Sequence, residues 1–213
     1  MALHIIDHPL VLHKLSIMRD KNTSTMKFRG LLEEIAMLMG YEITRDLPLE
    51  NIKIETPLVP MVAKTVSGKK LAIVPILRAG LGMVDGLLRL VPVAKVGHIG
   101  MYRDETTLKP VWYYNKVPMP VDRPTSDYYV YITDPMLATG NSLVEAIRLY
   151  VEKGIPETNI CCVCMISSPQ GIEKVFTEFP AITLIVAAVD SHLNERGYIV
   201  PGMGDAGDRI YNT

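Results

Sequence analysis

At 213 residues the chain is long enough for one domain with a sizeable core, and its 48% hydrophobic and 21% charged residues give a globular balance. A formal net charge of −1 excludes a general attraction to nucleic acid or anionic membrane. No apolar run approaches the ~18 residues of a membrane span. The opening Met-Ala-Leu-His-Ile-Ile-Asp-His-Pro lacks the basic region and long apolar stretch of a secretory signal, which predicts a cytoplasmic location.

In chain order, residues 9–19 read as a helix with Pro9 early in it. Thr23, Ser24 or Thr25 can cap a second helix to about Asp46, in which Phe28, Leu31, Leu32, Ile35, Leu38 and Met39 recur at helical spacing. Residues 52–58 alternate like a half-buried strand. From Leu71 short apolar runs alternate with helical patterns. Strands are predicted over 71–77, 95–101, 128–133, 160–167 and 183–189, and helices over 82–90, 141–153 and 170–178. Continuous apolar strands between helices argue an α/β domain with a parallel sheet covered on both faces. Ligands of such sheets sit beyond the carboxyl ends of the strands, where Arg78, Arg103 and Asp134 fall. Residues 104–127 break the alternation with four prolines and the aromatic piece Val111-Trp-Tyr-Tyr114. They read as a hairpin arm or hood, with an edge hairpin or subunit contact as the plainer reading.

Cys161, Cys162 and Cys164 lie in one apolar run, Cys162 and Cys164 on one strand face and Cys161 on the other. Buried reduced thiols explain them better than a disulfide set or metal cluster. The five histidines lack metal-ligand spacing.

The most specific stretch is Val130-Tyr-Ile-Thr-Asp-Pro-Met-Leu-Ala-Thr-Gly-Asn-Ser142, an apolar strand running into Asp134, a loop of small and hydroxyl residues, and a helix start near Ser142. A carboxylate there can accept hydrogen bonds from ribose hydroxyls. The N–H groups of Ala138, Thr139, Gly140 and Asn141 can wrap a phosphate at the positive end of the next helix, and Thr139 and Ser142 add hydroxyl donors.

This segment resembles the 5-phosphoribosyl 1-diphosphate (PRPP) signature of phosphoribosyltransferases, and its wording Asp-Pro-Met-Leu-Ala-Thr-Gly resembles the uracil phosphoribosyltransferase branch. The resemblance extends through His8-Pro9-Leu10, Arg19-Asp20, Pro75-Ile-Leu-Arg-Ala-Gly80, Met101-Tyr-Arg-Asp-Glu105 and Tyr198-Ile-Val-Pro-Gly-Met-Gly-Asp-Ala-Gly-Asp208, nearly the whole chain. It implies a single phosphoribosyltransferase-like (Rossmann-like) α/β domain over 1–213. N-terminal helices would precede the sheet, 104–127 would form a hairpin arm, and 190–213 a base-recognition hood. The implied reaction joins uracil to PRPP, giving UMP and diphosphate, with Mg²⁺ bound with PRPP. A homo-oligomer (dimer or tetramer) and a nucleotide such as GTP as activator are also implied.

By the same resemblance Arg78 and Arg103 contact the diphosphate or PRPP, and Asp134 binds the ribose hydroxyls. Pro135, Met136, Leu137, Ala138, Thr139, Gly140, Asn141 and Ser142 complete the PRPP loop. Asp205 meets PRPP, through Mg²⁺ in one form of the contact, and Ile199, Gly204, Asp205 and Ala206 recognise uracil. Close backbone approach to the base explains the glycines of 202–207, while a flexible glycine-rich tail is the plainer reading of that composition. Tyr198 either stacks on the base or packs in the core. Two departures from the wider pattern stand out. Thr133-Asp134 replaces a pair of acids, as is common in the uracil branch, and Asn141 replaces a glycine, where it would have to tolerate a positive φ.

Three other readings are weaker. A nucleotide-responsive RNA-binding regulator on the same fold needs a basic face. A P-loop kinase needs the lysine and length that Ala138-Thr-Gly-Asn-Ser142 lacks. A purine specificity fits Tyr198–Asp208 less well than uracil does.

Overall fold

The computed structural model describes residues 2–67, 70–103, 110–121 and 124–213, with the side chains of Lys70 and Arg103 outside that description. The chain opens on strand β1 (Ala2–Ile5). Helix α1 (Pro9–Arg19) follows, with Pro9 in its first turn and His8 as cap. In α2 (Thr25–Ile43) the cap is Ser24, whose hydroxyl accepts from the Lys27 N–H. The helix stops three residues short of Asp46, where the Thr44 hydroxyl turns back to donate to the Gly40 carbonyl at 2.8 Å.

The half-buried strand expected at 52–58 is instead β2 (Leu49–Glu55), exposed along its length. It pairs antiparallel with β3 (Pro60–Val66), which the sequence did not announce. The alternation of Ile52 and Ile54 with Lys53 marks the two faces of a free two-stranded ribbon, neither of which meets the core.

The sheet proper follows. It contains β4 (Lys70–Leu77), β5 (Lys95–Val96), β6 (His98–Arg103), β7 (Pro110–Lys116), β8 (Tyr128–Thr133), β9 (Met136–Leu137), β10 (Ile160–Ser167) and β11 (Thr183–Val189). Its order is β1-β11-β10-β8-β4-β6-β7, parallel except for β7, with β5 beside β4 and β9 beside β10. The strand expected over 95–101 is thus broken at Gly97, and the helix expected over 82–90 begins as a 3-10 turn (Ala79–Met83) before α3 (Val84–Leu90). Helices α4 (Asn141–Glu152) and α5 (Pro169–Glu178) match their periodicity. A short hairpin, β12 (His192–Leu193) with β13 (Ile199–Val200), and helix α6 (Ala206–Tyr211) close the chain.

Two cores flank the sheet. On one face α4 and α5 pack Ile147, Tyr150 and Phe176 against Val130, Cys162 and Cys164. On the other α1, α2 and α6 pack Val11, Phe28, Leu32 and Ile210 against Cys161, Val163 and Ile185. The cysteines therefore divide between faces as their spacing predicts, and burial pushes the Cys161 thiol up to about 12. Among the described residues no group of three or more histidine, cysteine, aspartate or glutamate side chains converges as a metal site. No described helix is long and apolar enough to cross a membrane.

Within 104–127, Pro110–Lys116 is the edge strand β7 against β6, and Thr125–Asp127 is a 3-10 turn that leads into β8. Residues 104–109 and 122–123 lie outside the described residues.

Candidate active site

The carboxyl ends of β4 and β8 build the site's floor. After Leu77 the chain enters Arg78-Ala79-Gly80 through a cis Leu77–Arg78 peptide. This turn lies against the end of β8. The Thr133 hydroxyl, fully buried, donates to the Gly80 carbonyl at 3.2 Å. A Cβ on Gly80 would stand 2.2 Å from the Thr133 carbonyl oxygen. The Thr133 hydroxyl thus stitches the two loops together. A carboxylate there would repel the same carbonyl. Gly80→Ala is expected to force the loops apart and destabilise the fold by about 1–3 kcal/mol, seen as a lowered melting temperature.

Asp134 follows, half-buried, its N–H donating to the Val163 carbonyl at 3.2 Å and its Oδ1 accepting from the Met136 N–H at 3.3 Å. Burial pushes its carboxyl up to about 7. The Met136 N–H pulls it down and the negative charge of Asp205 raises it further. Pro135 and β9 bind the loop to β10, since the Pro135 carbonyl accepts from Met165 and Ile166 N–H groups at 3.1 Å. Ser168 then donates its hydroxyl to the Ala138 carbonyl at 2.6 Å. Gly140 caps α4 with φ +81°, the left-handed conformation that lets the chain turn its N–H groups toward one point. Asn141 is the first residue of α4 and does not have positive φ, so the turn leaves its shape to Gly140.

A cleft of ≈ 940 Å³ lies over this floor. Asp134, Met136, Leu137, Ala138, Thr139, Gly140, Asn141 and Ser142 line one side, and Ile199, Gly204, Asp205 and Ala206 another, so twelve of the residues singled out by motif meet in one space. Pro135 is buried beneath it. Arg78 stands at its margin, within 3.8 Å of where a Gly207 side chain would begin. Arg103 ends β6, and its side chain lies outside the described residues.

The 190–213 segment is ordered by three devices. Asp190 is buried and accepts both guanidinium nitrogens of Arg19 at 2.7 Å, while Arg19 also donates to the Gly202 carbonyl at 2.8 Å. Asn194 Oδ1 accepts from the N–H groups of Arg196 and Tyr198 at 3.0 Å, fixing the β12–β13 turn. Asp205 caps α6 by accepting from the Asp208 N–H at 2.9 Å. The glycine-rich stretch is therefore a capped turn and helix rather than a loose tail. Tyr198 is 41% exposed and lines the cleft, which removes the reading that it packs in the core.

Glu195, Arg196 and Gly197 also line the cleft and carried no motif. The signal that could have found them is local, an Asn-x-x-Gly turn immediately before the Tyr198 motif. A second cleft of ≈ 640 Å³, bordered by His4, Arg45, Tyr129 and Asn159, lies at the amino ends of the strands; of the motif residues only His8 lines it, and none of the candidate site residues does.

The chain is similar to known proteins over nearly its whole length. The family model described as uracil phosphoribosyltransferase matches residues 5–213. A uracil phosphoribosyltransferase of Streptococcus mutans is 58% identical over 98% of this chain and 97% of its own. One of Streptococcus sanguinis is 56% identical over 99% and 98%. Among solved structures, the AQ2163 protein of Aquifex aeolicus superposes with a TM-score of 0.90 at 36% identity, covering 98% of this chain and 97% of that one.

Proposed function

This chain belongs to the uracil phosphoribosyltransferase family, and we propose that it transfers the phosphoribosyl group of PRPP to N1 of uracil, releasing diphosphate and forming UMP. The observation that carries the reading is the convergence of the Asp134–Ser142 loop and the Ile199–Ala206 segment on one cleft.

The chemistry asks little of a nucleophile. As C1′ loses diphosphate it acquires oxocarbenium character, and the protein's tasks are alignment and charge neutralisation. The N–H groups of Thr139, Gly140 and Asn141 at the start of α4 hold the 5′-phosphate, with the Thr139 and Ser142 hydroxyls; the Ala138 N–H, expected to join them, donates instead to the Met136 carbonyl at 3.1 Å. The Asp134 carboxylate accepts from the ribose hydroxyls, which fixes the sugar ring and places negative charge beside the developing cation. Backbone groups around Ile199, Gly204 and Ala206 face O2, N3–H and O4 of the base, a pattern that leaves cytosine mispaired. Arg78 binds the departing diphosphate with a charge-assisted fork, and Arg103, which ends β6, is its second cationic ligand.

Asp134 and Asp205 are close enough that one raises the other's affinity for a proton. The carboxylates are hard oxygen donors that suit Mg²⁺, and Asp205 would be the protein contact of an ion brought in with the diphosphate. The ion supplies countercharge to the leaving group.

A homo-oligomer is part of this reading. The β2–β3 ribbon exposes Ile52, Ile54 and Met61, and a two-stranded ribbon is marginal until something covers it. Activation by a nucleotide such as GTP is checked by adding it to the same assay.

Purified protein with uracil, PRPP and Mg²⁺ is expected to yield UMP and diphosphate, with cytosine and hypoxanthine inert. Product from hypoxanthine, or none from uracil, would overturn the reading. Arg78→Ala is expected to lower kcat/KM for PRPP roughly 10- to 100-fold, the worth of a charged hydrogen bond, while binding of UMP, which lacks the diphosphate, stays unchanged.

A further inference from the structure

Arg78 is 55% exposed at its side chain, yet α6 holds it at both ends. The Tyr211 phenol donates to the backbone carbonyl of Arg78 at 3.1 Å. The Tyr211 ring lies 5.4 Å from the guanidinium carbon, within cation–π range. The third contact is the Asp208 carboxylate, 3.4 Å from Arg78 Nη2. That pair is longer than the 2.7 Å fork of Arg19 on Asp190, and both its partners are exposed, so it is weak and easily exchanged.

We propose that α6 is a holder for Arg78, in which Tyr211 sets the arginine's position and Asp208 is a resident counter-ion that a diphosphate oxygen displaces. The proposal rests on the assignment of Arg78 to the diphosphate. An exposed arginine without the ring and the hydroxyl beneath it surrenders rotamer freedom each time it closes on an anion; held by Tyr211, it has surrendered much of it already. Asp208 has the opposite effect, because its carboxylate competes with the ligand for the same guanidinium. Tyr211 and Asp208 are positioning residues and touch no reacting atom. Since α6 starts at Ala206 in the base-facing wall, one six-residue helix serves both the base and the leaving group.

The test is calorimetric titration of the Mg²⁺ complex of PRPP, and separately of UMP, into wild type, Arg78→Ala, Tyr211→Ala, Tyr211→Phe and Asp208→Asn. UMP shares the phosphate, ribose and base but has no diphosphate. Tyr211→Ala is expected to weaken PRPP about fivefold, and Tyr211→Phe, which keeps the ring, about twofold. Asp208→Asn, which keeps an oxygen for the Thr213 hydroxyl that now donates to it at 3.1 Å, is expected to tighten PRPP about threefold. UMP affinity should be the same in all five proteins. A general loosening of α6 would move UMP and PRPP together and overturn the proposal, as would an Asp208→Asn variant that binds PRPP like wild type or more weakly. If Arg78→Ala itself leaves PRPP affinity unchanged, the diphosphate assignment fails and the holder with it. If Arg78→Ala weakens PRPP while both Tyr211 variants match wild type, only the holder fails.

Discussion

Asp134→Asn is expected to cut turnover roughly 100-fold or more, the loss of charged hydrogen bonds to two ribose hydroxyls, while making the ligand-free protein more stable at pH 8. The opposite signs come from one cause. Burial, partly offset by the Met136 N–H and reinforced by Asp205, raises the Asp134 carboxyl from 3.8 to about 7. The folded protein therefore holds a proton there that the unfolded chain releases. Asp134 contributes its full stability below about pH 4, and that contribution is lost as pH rises through about 7. Asparagine carries no charge to bury. Thermal melts of the two proteins without ligand should agree near pH 4 and diverge by about 1–3 kcal/mol at pH 8, asparagine higher. Equal melts across the range would mean that the site does not penalise the charge. Near-wild-type turnover would remove Asp134 from the ribose site.

Arg19→Ala is expected to destabilise the protein by about 3 kcal/mol, the scale for stripping the partner from a buried carboxylate. Burial alone would raise the Asp190 carboxyl. The Arg19 fork, the Gly202 N–H and the Arg19 charge outweigh it and hold the carboxyl below the usual carboxylate range. Asp190 therefore stabilises the fold above its unfolded range, about pH 4, and that contribution is lost as pH falls through its lower folded value. The gap between wild type and Arg19→Ala should be full at pH 7 and shrink below pH 4. Arg19→Lys should recover only part of it, because one ammonium cannot match the paired 2.7 Å contacts. A flat gap across pH would show that the loss is packing rather than the ion pair. Because Asp190 also accepts the Gly202 N–H at 2.8 Å, the variant's KM for uracil should rise more than its KM for PRPP.

Strands β8, β10 and β11 were legible to the residue because a strand buried on both faces is a continuous apolar run with polar ends. That Asp134 and Met136–Ser142 line one cleft was legible because these residues are contiguous in sequence. Elsewhere local signals conflicted with tertiary ones. Gly204-Asp-Ala-Gly-Asp208 has the composition of a turn, and only the capping carboxylate of Asp205 hints at the helix that follows. Ile52 and Ile54 look like core residues because alternation does not say which face, if either, meets a core. Glu195, Arg196 and Gly197 belong to the site only because Asn194 folds their turn over a loop some 55 positions earlier in the chain. No window of sequence contains that proximity.

The contacts of Arg19 and Arg209 also bear on the order of synthesis. Arg19 waits for Asp190 and Gly202, and Arg209 donates to the carbonyls of Met18 and Asp20 at 2.7 Å. A nascent chain halted before residue 190 already contains the Asp134–Ser142 loop and the strands against which its first two helices pack, but it lacks the Asp190 carboxylate, helix α6 and the Ile199–Ala206 wall of the cleft. Such a fragment could grip a sugar phosphate without choosing a base. In the proposed reading, selectivity arrives with residues 190–213, which also add the Asp190 and α6 contacts of the first helices.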